Sequence, residues 1–167
     1  MLSRFDREQA SMNRATFFRR YQSDDLEAIF RLDEACFSEE FRFDRRSMSA
    51  FAADRGAVTL IAEDQGKVIA FVIAHVKHVA AECRAYVVTL DVEPEWRRRG
   101  LARELMAEVE ARALAEGARR IHLHVFLGND AAIRFYERLG YERIRIVRGY
   151  YGSGLDAIVY RKDLRDR

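Results

Sequence analysis

A run of strand-forming residues ending at Val92 gives way, across one short loop, to a helical pattern that opens at Gly100. This junction restricts the chain to folds in which a helix springs from the end of a strand. The strand side reads "YVVTLDV", rich in β-branched residues, and Pro94 cannot continue it. On the helix side Leu101, Leu105, Val109 and Ala113 recur on one face, with Arg103, Glu104, Glu108 and Arg112 on the other, and Gly117 stops the pattern. Between them stand Arg97, Arg98 and Arg99. A helix N-terminus already carries partial positive charge and unpaired N–H groups, so three added cations make sense if an anion sits there. Gly100 and Ala102 are small enough to let a phosphate reach the backbone. The GxxxxGK order of a nucleoside-triphosphate loop is absent, and the arginine run alone fits a solvated basic turn equally well.

The rest of the chain reads as alternating strands and helices. "TFFRRY" (Thr16 to Tyr21) alternates like an edge strand. A helix follows in "SDDLEAIFRLDEACF", with Asp24 and Glu27 as the expected capping pair and Leu26, Ile29, Phe30 and Leu32 at helical spacing. "RRSMSAFAAD" reads as a second short helix. "AVTLIAED" and "KVIAFVIAHVKHV" form a hairpin around Gln65 and Gly66, and "CRAYVVTLDVE" is the next strand. After the Gly100 helix come the strand "RRIHLHVF", a helix in "NDAAIRFYERLG" opened by an Asn/Asp cap, and two closing strands, "YERIRIV" and "LDAIVYRKDL". The order is α/β with a parallel pair at its centre.

At 167 residues, with one proline and no low-complexity linker, the chain makes a single domain over residues 16–167 behind a polar extension, 1–15, in which Met12 is an alternative start. Its net charge of +2 is too balanced for a general nucleic-acid binder, so any basic patch is local. Cys36 and Cys83 lie far apart without metal-ligand spacing and read as reduced thiols of a cytoplasmic protein. No stretch is long and apolar enough to span a membrane, and the first residues lack the apolar core of a signal peptide.

"RRRGLA" meets the Gln/Arg-x-x-Gly-x-Gly/Ala signature of the GNAT acetyltransferases through Arg97, Gly100 and Ala102, and "NDAAIRFYERLGY" resembles their second motif. The resemblance extends over roughly Thr16 to Leu164. It implies the GNAT fold, a mostly antiparallel sheet of six to seven strands with a central, splayed parallel pair and about four helices. Acetyl-CoA is the implied cosubstrate, with no metal. Its pyrophosphate would lie on the amides of Arg99, Gly100, Leu101, Ala102 and Arg103, with Arg97 and Arg98 beside them. The strand edge Leu90, Asp91 and Val92 would pair with pantetheine, Asn129 would bond it, and Tyr136 would stand beside the thioester sulfur.

Within the superfamily "YVVTLDV", "LHVFLGNDAAIRFYERLGY" and "GYYGSGLDAIVYRKDL" look most like the N-alpha-acetyltransferases of protein N-termini. That likeness makes Tyr150 and Tyr151 one wall of the acceptor site, with Phe37 and Ser38 opposite. The bacterial ribosomal-protein enzymes carry Glu where this chain has His124. Here His124 with Tyr86 resembles the relatives that acetylate Met-starting N-termini, in which such a pair holds a water as base. The implied partner is a protein or peptide N-terminus; nucleic acid and membrane are not implied, and the enzyme would be a monomer or weak homodimer. A free small amine, such as an amino acid, polyamine or antibiotic, is the alternative acceptor.

The chemistry agrees with an α-amine independently of the likeness. An α-amine of pKa about 7.7 to 8.0 is roughly a third neutral near pH 7.5, so a histidine can take the remaining proton. A lysine at about 10.4 is neutral only on the order of one part in a thousand. His122 and His124 also suit a solvated strand face, Tyr136 suits helix packing, and Tyr150 and Tyr151 suit ordinary strand aromatics. A metal set drawn from His122, His124, His75 and His78 lacks a supporting carboxylate or cysteine.

Overall fold

The computed structural model describes residues 16–165, so the polar extension 1–15 and its Met12 lie outside the described residues. Seven strands form one sheet: β1 Phe17–Arg20, β2 Ala57–Asp64, β3 Lys67–Val79, β4 Glu82–Val92, β5 Arg120–Phe126, β6 Glu142–Val147 and β7 Ala157–Asp163. Their spatial order is β1-β2-β3-β4-β5-β7-β6. Four α-helices cover it, α1 Leu26–Cys36, α2 Arg45–Ala52, α3 Leu101–Ala115 and α4 Asp130–Arg138. Among the described residues none is long and apolar enough to cross a membrane. All neighbouring strands run antiparallel except β4 and β5. The mixed sheet expected from the sequence is therefore present.

Apolar patterning decides which layer each element joins. Leu101, Leu105, Val109 and Ala113 of α3 are buried against Val72, Val87, Ile121 and Leu123 on one face of the sheet. On the other face Ile29 of α1 and Met48 of α2 close over Ile61, Phe71 and Ile73. Covered on both sides, β3 is buried without interruption from Ile69 to Ala74, which is why its sequence is apolar rather than alternating. The β2–β3 hairpin turns through Gln65 and Gly66 with φ of 50° and 78°, the left-handed pair that matches the twist of its strands.

The start of α1 departs from the expected Asp24/Glu27 cap. A 3₁₀ turn, Ser23–Asp25, precedes the helix and moves the reciprocal contact two residues back, to Gln22 and Asp25. Asp25, not Asp24, accepts the Gln22 amide at 2.8 Å, and Arg19 holds its carboxylate at 2.7 Å. Glu27 instead pairs with Arg31 and Arg45.

Two irregularities in β4 shape the site. Ile73 pairs with Thr89 while Ala74 pairs with Val87, so Val88 is an extra residue that bends the strand. The parallel pairing of β4 with β5 consists of Ala85 with Ile121 and Tyr86 with His122. Beyond those rungs the two strands part, and a wedge opens toward their C-terminal ends.

Candidate active site

Both walls of the wedge end in helix N-termini. At the end of β4 the chain turns through Glu93 to Arg99 into α3, and at the end of β5 it turns into α4. Ligands of parallel strands lie at such carboxyl ends. Gly100 stands at the N-cap of α3 with φ of 86°, and no side chain caps the helix, so its first amides remain available to an anion. A Cβ added at Gly100 would meet nothing nearer than Glu104 Oε1 at 3.9 Å. The glycine is thus required by its left-handed backbone, and the space before it is open.

The three arginines do not act alike. Arg97 turns back, its Nε donating to the Val92 carbonyl at 3.0 Å, and the Cys36 thiol donates to the same oxygen at 3.4 Å. Of the Leu90–Val92 edge expected to receive pantetheine, that carbonyl is therefore already engaged. Arg99 lies over the Trp96 ring at 4.6 Å, while Trp96 packs on the core. Arg98, with φ of 62°, makes the turn between them. Leu101 is buried, whereas Ala102 is half-buried and Arg103 exposed. On the opposite wall Asn129 caps α4, its Oδ1 accepting the Ala132 amide at 3.1 Å, which leaves its NH₂ group to donate. Asp91 keeps only its backbone on the strand edge, because its side chain is buried beneath α1.

At the narrow end of the wedge Tyr86 Oη meets His124 Nδ1 at 2.9 Å. A gap for a shared water was expected; the contact is direct because β4 and β5 are still paired at Tyr86 and His122, one row below His124. Tyr150 stacks on His124 with centroids 4.1 Å apart and planes 6° from parallel, and its hydroxyl lies 3.4 Å from Tyr86 Oη. Burial, with Arg145 and His122 nearby, lowers the His124 pKa below the usual histidine value, so the ring is neutral at pH 7. Burial also raises the Tyr86 hydroxyl, which keeps its proton. His75, a possible metal partner by sequence, is turned to α2, with Nε2 2.9 Å from the Phe51 carbonyl.

Tyr151 takes part in a second aromatic group. Phe41 lies 4.8 Å from Phe126 and 5.1 Å from Tyr151. The expected opposite wall was Phe37 and Ser38; Phe37 ends α1 and Ser38 is exposed, and the ring that reaches Tyr151 belongs to Phe41, in the 3₁₀ turn that follows. Neither Phe41 nor Phe126 was singled out by sequence. Phe126 carries a signal, since it continues the His122, His124 alternation of β5, whereas Phe41 depends on the path of a loop. Tyr136, on α4, is buried edge-on to Phe135 and Tyr141, and burial raises its hydroxyl pKa.

The model of the acetyltransferase (GNAT) family matches residues 26–141, more than half of the chain. The chain belongs to this family. This GNAT protein is 30% identical over 153 residues to the N-terminal acetyltransferase A complex catalytic subunit NAA10 of Arabidopsis thaliana, covering 89% of this chain and 78% of that one. Its fold is similar to that of the Escherichia coli ribosomal-protein-S18-alanine N-acetyltransferase, with a TM-score of 0.79 at 23% identity over 92% and 96% of the two chains. It is likewise similar to Arabidopsis thaliana NAA60 in complex with acetyl-CoA, with a TM-score of 0.80 at 23% identity over 90% and 99%. The GNAT protein is thus an acetyl-CoA-dependent N-acetyltransferase. Its uncapped α3 N-terminus and the parted β4 edge suit a pyrophosphate joined to an extended amide-bearing arm.

Proposed function

We propose that this enzyme transfers the acetyl group of acetyl-CoA to the α-amine of a protein or peptide N-terminus. The observation that carries the reading is the Tyr86–His124 contact at the narrow end of the wedge, roofed by Tyr150. Acetyl-CoA supplies a thioester carbonyl that an uncharged amine can attack. The amides of Leu101 to Arg103 and the Asn129 NH₂ group hold the cosubstrate, and the β4 edge from Leu90 aligns it. Tyr86 Oη takes the amine proton while passing its own to Nδ1 of His124, which is neutral and ready to receive it. Tyr136, kept protonated by burial, donates a proton to the departing sulfur. Tyr150, Tyr151 and Phe41 enclose the first acceptor residues; Phe37 and Ser38 stand at the rim.

The aromatic walls favour a peptide over a small polar amine, because half-buried Phe41, Phe126 and Tyr151 offer apolar surface to the acceptor's side chains. Acetyl-CoA turnover on a panel of peptides varied at the first two residues, alongside amino-terminally blocked lysine peptides and free amines, tests this. Turnover concentrated on peptides with a free α-amine is expected. Equal or greater turnover of polyamines or lysine side chains would overturn the assignment.

A further inference from the structure

Two buried acids stand behind the wedge and take no part in the proton route described above. Asp33 of α1 is fully buried, and Asp91 of β4 is 1% exposed. Each carboxyl has one oxygen accounted for. Asp33 Oδ2 accepts the backbone amide of Phe43 at 3.0 Å, and Asp91 Oδ1 accepts the Thr89 hydroxyl at 2.5 Å. The other oxygens, Asp33 Oδ1 and Asp91 Oδ2, are buried and meet no donor among the described residues. The two carboxyls face each other where α1 packs on the end of β4, each within reach of the other's charge. Two ionised carboxylates there would oppose acceptor to acceptor away from solvent, whereas one proton between them satisfies both.

We infer that Asp33 and Asp91 share a single proton, and that this pair positions the acceptor-side loop, Phe37 to Phe43, on the cosubstrate-side strand. The connections run in series. Phe41 forms the acceptor wall, Phe43 is tied through its amide to Asp33, Asp33 is joined by the proton to Asp91, and Asp91 follows Leu90 on the β4 edge. Among the described residues no cation forms a direct ion pair with either acid. Arg42 and Glu34 face Asp33; Arg97 faces Asp91 but its Nε is bound to the Val92 carbonyl. Cys36 and Tyr136, which also face Asp91, are uncharged: burial and the Asp91 charge push the thiol up to about 11, and burial raises the phenol. Burial likewise raises both carboxyls, Asp91 well above the usual range.

A carboxyl whose folded pKa is raised holds its proton when the unfolded chain has lost it, so its contribution is complete below about pH 4 and declines as pH rises through the folded value. Loss of the shared proton as pH rises through that folded value sets two charges against each other and loosens the loop. Asp33→Asn keeps an acceptor for the Phe43 amide and supplies a permanent donor toward Asp91, while Asp33→Ala removes both.

This inference rests on the reading of the Phe37–Phe43 loop as the acceptor wall, so its first test is independent of any acceptor. Infrared difference spectra of the wild-type enzyme at pH 7 should contain the carbonyl band of a protonated carboxylic acid that Asp33→Asn abolishes; its absence from the wild type overturns the shared proton whatever the substrate. The second uses the best acceptor from the peptide panel. Asp33→Ala should raise the acceptor KM about tenfold, the worth of one buried hydrogen bond, with the acetyl-CoA KM nearly unchanged. Asp33→Asn should restore the wild-type value at pH 7 and remove its rise at alkaline pH. Equal increases in both KM values, or an alkaline rise that persists in Asp33→Asn, would reduce the pair to general packing.

Discussion

His124 is neutral at pH 7 because burial lowers its pKa, and this sets the pH behaviour of any variant. An α-amine near pKa 8 arrives mostly charged at pH 7 and mostly neutral at pH 9. Replacing His124 by Ala should therefore cost about a hundredfold in kcat at pH 7, the usual worth of a general base, and much less above pH 9. Tyr86→Phe should behave similarly, and the double variant should lose less than the product of the two, since both serve one proton route. A pH-rate profile of the four proteins decides this; a defect of constant size at every pH would remove His124 from the route. The pair itself was legible, because each residue sits in a recognisable strand motif. Its direct contact was not, because a separation of about 3 Å depends on where a parallel ladder stops.

Helix α3 carries the most legible part of the molecule. Every inward position read from its spacing, Leu101, Leu105, Val109 and Ala113, is buried. Its N-terminus leads to a prediction at the same scale. Gly100 has φ of 86°, which a side chain adopts only with strain, and Glu there would put an anion before the open amides. Gly100→Glu should raise the acetyl-CoA KM at least tenfold with far-ultraviolet dichroism unchanged, the strain itself costing about 1 kcal/mol or somewhat more. An unaltered KM in the folded variant would move the cosubstrate elsewhere. The hairpin at Gln65 and Gly66 was equally legible, since a local turn fixes it. Phe41, the Val88 bulge and the Asp33–Asp91 contact were not. Each is set by how separate elements lie against one another, and local periodicity carries no trace of that.

At the scale of the whole molecule, the seven strands are less uniform than their number suggests. β3 and β4 run together over ten pairs of residues, from Ala70 with Val92 to Val79 with Glu82, whereas β4 and β5 share two. Amide hydrogen exchange should accordingly be slow throughout β2 to β4 and faster in β5 and β7, and added acetyl-CoA should slow β5 and residues 149–155. Uniform protection across the sheet, indifferent to acetyl-CoA, would contradict this. The consequence concerns turnover. With only two rungs between its halves, the sheet would gain lateral continuity from a cosubstrate held in the wedge as proposed, so its capture and release would double as stiffening and slackening of the scaffold. Phe41 follows α1 in the chain and Tyr150 and Tyr151 precede β7, and the Phe41 ring meets Phe126 and Tyr151 across that division. On the proposed reading, a bound cosubstrate sets the spacing of the two aromatic walls across this two-rung junction.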